Sequence, residues 1–131
     1  MDLTSVLSFV LRYFAEAHGV LFVIDSADPG RFEEARAALD SIVGHPSLEG
    51  IPLLIMANKQ DRADAREVDE MDEVLAVGAI QTSGRACRTQ AVSALTCEGI
   101  EEGVVWLIEA VKKGGLVNHS TQQPGGGGRR R

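Results

Sequence analysis

Residues that build covalent or metal-held scaffolds are scarce in this 131-residue chain. Its two cysteines, Cys87 and Cys97, stand ten residues apart with no Cys or His partner at zinc-ligand spacing, which excludes a zinc ribbon or a disulfide framework and leaves ordinary thiols. His18, His45 and His119 are scattered and give neither a metal set nor an activated nucleophile. No apolar run approaches the roughly 20 residues that cross a bilayer. Position 2 is Asp and not Gly, so the myristoylation signal is missing. Basic side chains are also few. The net charge is −6, and setting aside Arg129, Arg130 and Arg131 leaves ten basic against nineteen acidic side chains in residues 1–113, about −9. Such a body repels nucleic-acid phosphates, whose binding draws on clustered Lys and Arg, and no nucleic-acid partner is expected. Finally, nothing in the chain reads Gly-x-x-x-x-Gly-Lys-Ser/Thr, the loop whose backbone amides cradle phosphates.

What is present is one domain's worth of chain, 44% hydrophobic, with enough apolar surface for a core. Leu3 to Leu11 is apolar, and Ala15-Glu16-Ala17 superficially resembles a signal-peptide cleavage site, but Asp2 and Arg12 argue against that reading. Leu3, Val6, Leu7, Val10, Leu11 and Phe14 recur at intervals of three and four and predict one face of a helix.

Gly19 to Asp25 is a continuous apolar run ending in an acid, the pattern of a parallel strand buried on both faces. Asp28-Pro29 reads as a helix start, with Phe32, Ala35, Leu39, Ile42 and Val43 as the inward stripe and Gly44 as the stop. Ile51 to Ala57 predicts a second strand, residues 67–77 an acidic helix closed by Gly78, and residues 89–93 a third strand. Ile100, Val104, Leu107, Ile108 and Val111 mark a last helix over 99–113. Glu101 and Glu102 in its first turn and Lys112 and Lys113 in its last suit the helix dipole. Residues 114–131 hold six glycines and little apolar surface, so a disordered tail is expected after a domain spanning 1–113. Its three arginines would suit an anionic membrane, each contributing about 1 kcal/mol near such a surface, although a solvated tail is the simpler expectation.

Alternating strands and helices predict a parallel sheet, and ligands of such sheets bind at the carboxyl ends of the strands. Asp25, Asn58-Lys59-Gln60-Asp61 and Ser93-Ala94-Leu95 all fall there. An Asp carboxylate at such an edge matches guanine, because its two oxygens can accept from N1–H and the exocyclic amine, which adenine does not offer together. The plainer reading of Asn58 and Asp61 is a simple turn.

Val23-Ile24-Asp25-Ser26-Ala27-Asp28, Ala57 to Asp61, Ser93-Ala94-Leu95 and Glu102 to Leu107 together resemble the carboxyl-terminal half of a Ras-like small GTPase, most closely the Arf family. Tyr13 to Gly19 and Thr89 to Thr96 are most similar to its Golgi-associated Arf-related branch. The resemblance covers about residues 12–113. It implies an α/β fold, a partial Ras-like P-loop NTPase with three parallel strands and flanking helices, and GTP or GDP as ligand. It further implies that Asp61 binds guanine N1 and N2, Asn58 supports N7, the Lys59 stem lies over base and ribose, and Ala94 donates its N–H to O6 while Ser93 and Leu95 shape the loop.

The family's first-switch Thr, its Asp-x-x-Gly-Gln motif and its phosphate loop have no counterpart before residue 12. Met1 to Ser5 only echoes the Asp-x-x-Gly start, with Thr4 and Ser5 where glycines belong. The resemblance therefore implies no catalytic residue and no Mg2+ ligand in this chain, and no GTP hydrolysis by it alone. A few charged hydrogen bonds of about 1.5–3 kcal/mol each would give weak guanine binding at best. The strand at Val20 to Asp25 is expected to form an exposed, sticky edge. Two readings stay open. One is an Arf-like GTPase, cytoplasmic or peripheral at the Golgi, acting in vesicle-mediated transport with exchange factors and effectors, of which this chain is an incomplete product. The other is a noncatalytic interaction module derived from a GTPase. An unrelated flavodoxin-like or receiver-type domain needs neither motif and is disfavoured.

Overall fold

Alternation of side chains across a strand decides the layering of this molecule. In the computed structural model, which describes residues 6–13 and 16–122, β2 (Glu16–Asp25) and β3 (Leu53–Asn58) send alternate residues to opposite faces of one sheet. Val20, Phe22 and Ile24 of β2 and Leu53, Ile55 and Ala57 of β3 enter one core, whereas Leu21 and Val23 of β2 and Leu54 and Met56 of β3 enter another. Strand order is β1-β2-β3-β4, with β4 spanning Cys87–Ala91. The three strands β2, β3 and β4 are parallel, with Val20 opposite Leu53 and Leu53 opposite Cys87, as the resemblance implied.

The first core lies under α1 (Phe32–Val43), α2 (Val68–Leu75) and α3 (Val77–Thr82). Phe32, Ala35 and Leu39 from α1, Met71 and Leu75 from α2, and Val77 and Ile80 from α3 are its helical contribution. The second core is thinner. There α4 (Ile100–Gln122) lays Leu107 against Leu54, Met56 and Val92, with Ile100, Trp106 and Val111 partly buried around them. Gly103 permits this approach: a Cβ there would stand 3.2–3.3 Å from Gln90, Leu54 and Met56 side chains.

Several local expectations are corrected. The segment read as a helix from Leu3 to Phe14 is a strand, β1 (Val6–Tyr13), pairing antiparallel with β2 from Val6 opposite Ile24 to Tyr13 opposite Glu16. An apolar run this rich in Val, Leu and aromatics fits either period. Pairing wins because it satisfies the backbone groups along β2. Consequently β2 is not the exposed edge that was expected; β1 takes that place. The acidic helix ends at Leu75 and not at Gly78, which lies inside α3; Ala76, in the left-handed region at φ 55°, makes the break. A 3-10 turn over Pro29–Arg31 precedes α1, and Asp28 starts it through its carbonyl, which accepts from the Arg31 N–H. In α4, Val104 and Ile108 are exposed instead of inward, and the helix continues past Lys113 to Gln122. The tail residues 123–131 lie outside the described residues, as do the Leu3 and Phe14 ends of the predicted helix.

At the amino ends of the strands, the buried Arg85 donates through Nη2 to the Leu48 carbonyl, and desolvation lowers its pKa. Beside it, burial pushes the Cys87 thiol up to about 11.

Candidate functional site

The opposite, carboxyl end of the sheet collects the polar residues. Asp25 ends β2 and stands directly opposite Asn58, which ends β3. Ser26 N–H donates to the Asn58 carbonyl at 3.1 Å, so the two strand ends stay joined after the ladder stops. The chain then turns at Lys59, whose φ of 72° lies in the left-handed region, a conformation that costs a side-chain-bearing residue about 1–2 kcal/mol. Held strain of this kind clusters at sites where a side chain must point one way. The Lys59 ammonium reaches back 3.1 Å to Asp25 Oδ2, while Asp25 Oδ1 accepts the Ala27 N–H at 2.9 Å.

Gln60 fastens the loop from two sides. Its backbone N–H donates to the Val92 carbonyl at 3.1 Å, and its side-chain amide donates to the Arg66 carbonyl at 3.0 Å. Arg66 N–H in turn donates to the Ser26 carbonyl at 2.9 Å. Next to it, Arg62 donates to both carboxylate oxygens of Asp64 at 2.9 and 3.0 Å, and those hydrogen bonds hold the Asp64 carboxyl below its usual range.

The second motif meets the first here. Val92 N–H continues the ladder onto the Ala57 carbonyl at 3.0 Å, which delivers Ser93 beside Asp61. The buried Ser93 hydroxyl donates to Asp61 Oδ1 at 2.7 Å and accepts the Thr96 N–H at 3.1 Å. Ala94 N–H donates to Asn58 Oδ1 at 2.9 Å. Thus two hydrogen-bonded pairs, Asp61 with Ser93 and Asn58 with Ala94, join loops far apart in sequence, and Lys59 stands beside them tied to Asp25. Leu95 makes no such bond among the described residues and is 80% exposed.

Two further residues hold the second loop: Cys97, which the sequence offered only as an ordinary thiol, and Gly99, which it offered only as a helix start. Gly99, at φ 80°, sits so close to the strand end that a Cβ would run into the Ala91 carbonyl. Cys97, at φ 70°, donates its N–H to the Ser93 carbonyl at 2.7 Å. The available signal was a glycine just before an apolar helical stripe, a position read only as a helix start.

Chemically, the site offers acceptors and one cation at an open edge. Asp61 is exposed, and each carboxylate oxygen has two lone pairs, so the bond from Ser93 leaves capacity for three further donors. The donor set therefore fits a planar base edge. Among the described residues no three His, Cys, Asp or Glu side chains converge into a metal-binding group. Among the same residues no helix is long and apolar enough to cross a membrane.

The Arf model, described as the ADP-ribosylation factor family, matches residues 4–111. ADP-ribosylation factor-related protein 1 of Rattus norvegicus is 38% identical over 100 residues, 76% of this chain and 50% of that protein. The protein of the same name from Bos taurus is 39% identical over the same shares. ADP-ribosylation factor-like protein 3 of Saccharomyces cerevisiae is 38% identical over 109 residues, 83% of this chain and 55% of that protein. The chain thus spans about half the length of these relatives. With a match of this extent over a parallel α/β sheet of the same kind, the chain belongs to the ADP-ribosylation factor family.

Proposed function

We propose that this chain reads guanine nucleotides, GDP or GTP, at the carboxyl edge of its parallel sheet, as part of an Arf-like GTPase acting in Golgi vesicle-mediated transport. The observation that carries the reading is the bond from Ser93 Oγ to Asp61 Oδ1, 2.7 Å long, which joins the two motif loops and leaves Asp61 able to accept from guanine N1–H and N2–H. In this reading Asn58 and Ala94 exchange their mutual contact for guanine N7 and O6, and Lys59 lies along base and ribose. Leu95 borders the base. Support for the Golgi assignment is the resemblance of residues 13–19 and 89–96 to that branch of the family; exchange factors, effectors and peripheral membrane association follow by the same resemblance. The proposal covers binding and not hydrolysis, because the phosphate-cradling loop is missing from this sequence. The domain would comprise residues 1–113, with 114–131 as a tail whose first part, to Gln122, continues α4.

Titration of the 15N-labelled chain with GDP tests this. The expected outcome is weak, saturable shifts confined to 58–61 and 93–95. Asp61→Asn should weaken GDP about tenfold or more by replacing an acceptor with a donor, and should gain affinity for xanthosine diphosphate, whose C2 carbonyl accepts. Equal response to ADP and GDP, or an unchanged GDP titration in Asp61→Asn, would overturn the reading.

A second reading, a noncatalytic interaction module, is favoured by one observation: Val104, Val105 and Ile108 of α4 are exposed. On that reading Asp61→Asn changes nothing, and substitutions on α4 change partner binding.

A further inference from the structure

We infer that Asp25 is a positioning residue for the base site: it anchors the Lys59 ammonium so that the lysine stem is laid out as a platform before any nucleotide arrives. This rests on the guanine reading above and extends it to a residue outside the two base-reading motifs.

The geometry is specific. Lys59 Nζ lies 3.1 Å from Asp25 Oδ2, and the Asp25 side chain is only 11% exposed against 44% for Lys59. Asp25 is itself held by the Ala27 N–H on its other oxygen at 2.9 Å and by its ladder position opposite Asn58. The carboxylate is thus a fixed post at the end of one strand. Lys59 starts at the end of the neighbouring strand, with its backbone set in the left-handed region. Both ends of its four-methylene stem are therefore fixed, and the stem must bridge the gap between the two strand ends.

A free lysine has large rotamer freedom and surrenders it on binding. One already tethered surrenders less, which is the general benefit of preorganisation. The methylene stem also suits the contact proposed for it, because long cationic side chains pack through their apolar stems while the charged head stays with polar partners. Among the acidic groups close to the loop, Asp64 is engaged by Arg62, and the ion pair of Lys59 is with Asp25.

The experiment is a double-mutant cycle in the full chain with GDP as the probe, comparing wild type, Asp25→Asn, Lys59→Met and the double variant. Lys59→Met keeps a flexible apolar stem and removes the charge. Asp25→Asn should weaken GDP about five- to tenfold, but should have no further effect when Lys59 is already Met. If Asp25 only supports the fold through Ala27, its replacement costs the same in both backgrounds, and the inference fails. A nucleotide-free readout separates this from failure of the guanine reading. The sequence holds only Lys59, Lys112 and Lys113, so the Lys59 Hε–Cε signals are assigned by their loss in Lys59→Met. A tethered lysine gives two resolved Hε signals in wild type that merge in Asp25→Asn. Merged signals already in wild type would sink the tether. Resolved signals without any GDP response would overturn the guanine reading and, with it, the role assigned to Asp25.

Discussion

The two faces of the sheet are built to different depths. Under α1, α2 and α3, fifteen buried residues form one continuous core. Under α4 the buried cluster among the described residues is Leu54, Met56, Val92 and Leu107. The same strands supply both faces, so the difference comes from the helices: three cover one side, and one covers the other. Sheet strength is thus inherited from the α1–α3 side. The motif loop at Ser93–Leu95 precedes α4 and so lies next to the thinner side.

Core truncations sharpen this contrast most. Phe22→Ala, at 0% exposure on the deep face, should lose about 3–5 kcal/mol, because the cavity is walled by residues that cannot collapse inward. Leu107→Ala, at 2% exposure on the thin face, should lose about 2–3 kcal/mol, near the low end for its type, since α4 can settle into the gap. Urea unfolding of both variants checks the order. Equal losses would mean that α4 is as firmly seated as the other three helices.

A smaller effect is expected from Cys87, which belongs to the deep face. Above pH 9.0 the unfolded chain sheds the thiol proton, while the folded chain keeps it until about 11. Stability from this group is therefore complete below pH 9 and is lost as pH rises through that window. Cys87→Ala should start less stable but show a shallower decline between pH 9 and 11 in urea midpoints. Parallel declines would place the thiol in water.

The smallest effect on stability belongs to the outer surface of α4. Ile108→Lys should stay within about 0.5 kcal/mol of wild type, because Ile108 is 46% exposed, while reducing binding of an apolar dye. A large loss of stability would mean that this surface is covered within the chain.

The strands were the most legible part of the sequence. Gly19 to Asp25 and Ile51 to Ala57 are unbroken apolar runs, and a strand buried on both faces has no other way to be written. The inward stripe Phe32, Ala35 and Leu39 was equally plain. What failed, failed for identifiable reasons. Residues 6–13 are apolar at helical and at strand spacing alike, and only the free edge of β2 decides between them. The break at Ala76 was invisible because alanine rarely takes a positive φ; the sequence pointed instead to Gly78. Val104 and Ile108 fit the α4 stripe by spacing, yet α4 turns Leu107, with Ile100, Trp106 and Val111, toward the sheet in their place. At the site, chain position put Asp25, Asn58, Asp61 and Ser93 at one edge, but not the links from Lys59 to Asp25 or from Gln60 to Arg66, since pairing across strand ends depends on register.

The bond from Ser93 to Asp61 also joins two loops through a single proton. The Ser93 hydroxyl has a single proton. Because its oxygen already accepts the Thr96 N–H, and because the nearest group is a carboxylate that cannot donate, that proton is committed toward Asp61. Asp61, being a carboxylate, can only accept, and this O–H takes up part of the capacity of Oδ1, while among the described residues no hydrogen bond occupies Oδ2. The serine is locked like the ward of a key: with the Thr96 N–H on its oxygen and its proton on Asp61, it ties the carboxylate of one loop to the backbone of the other.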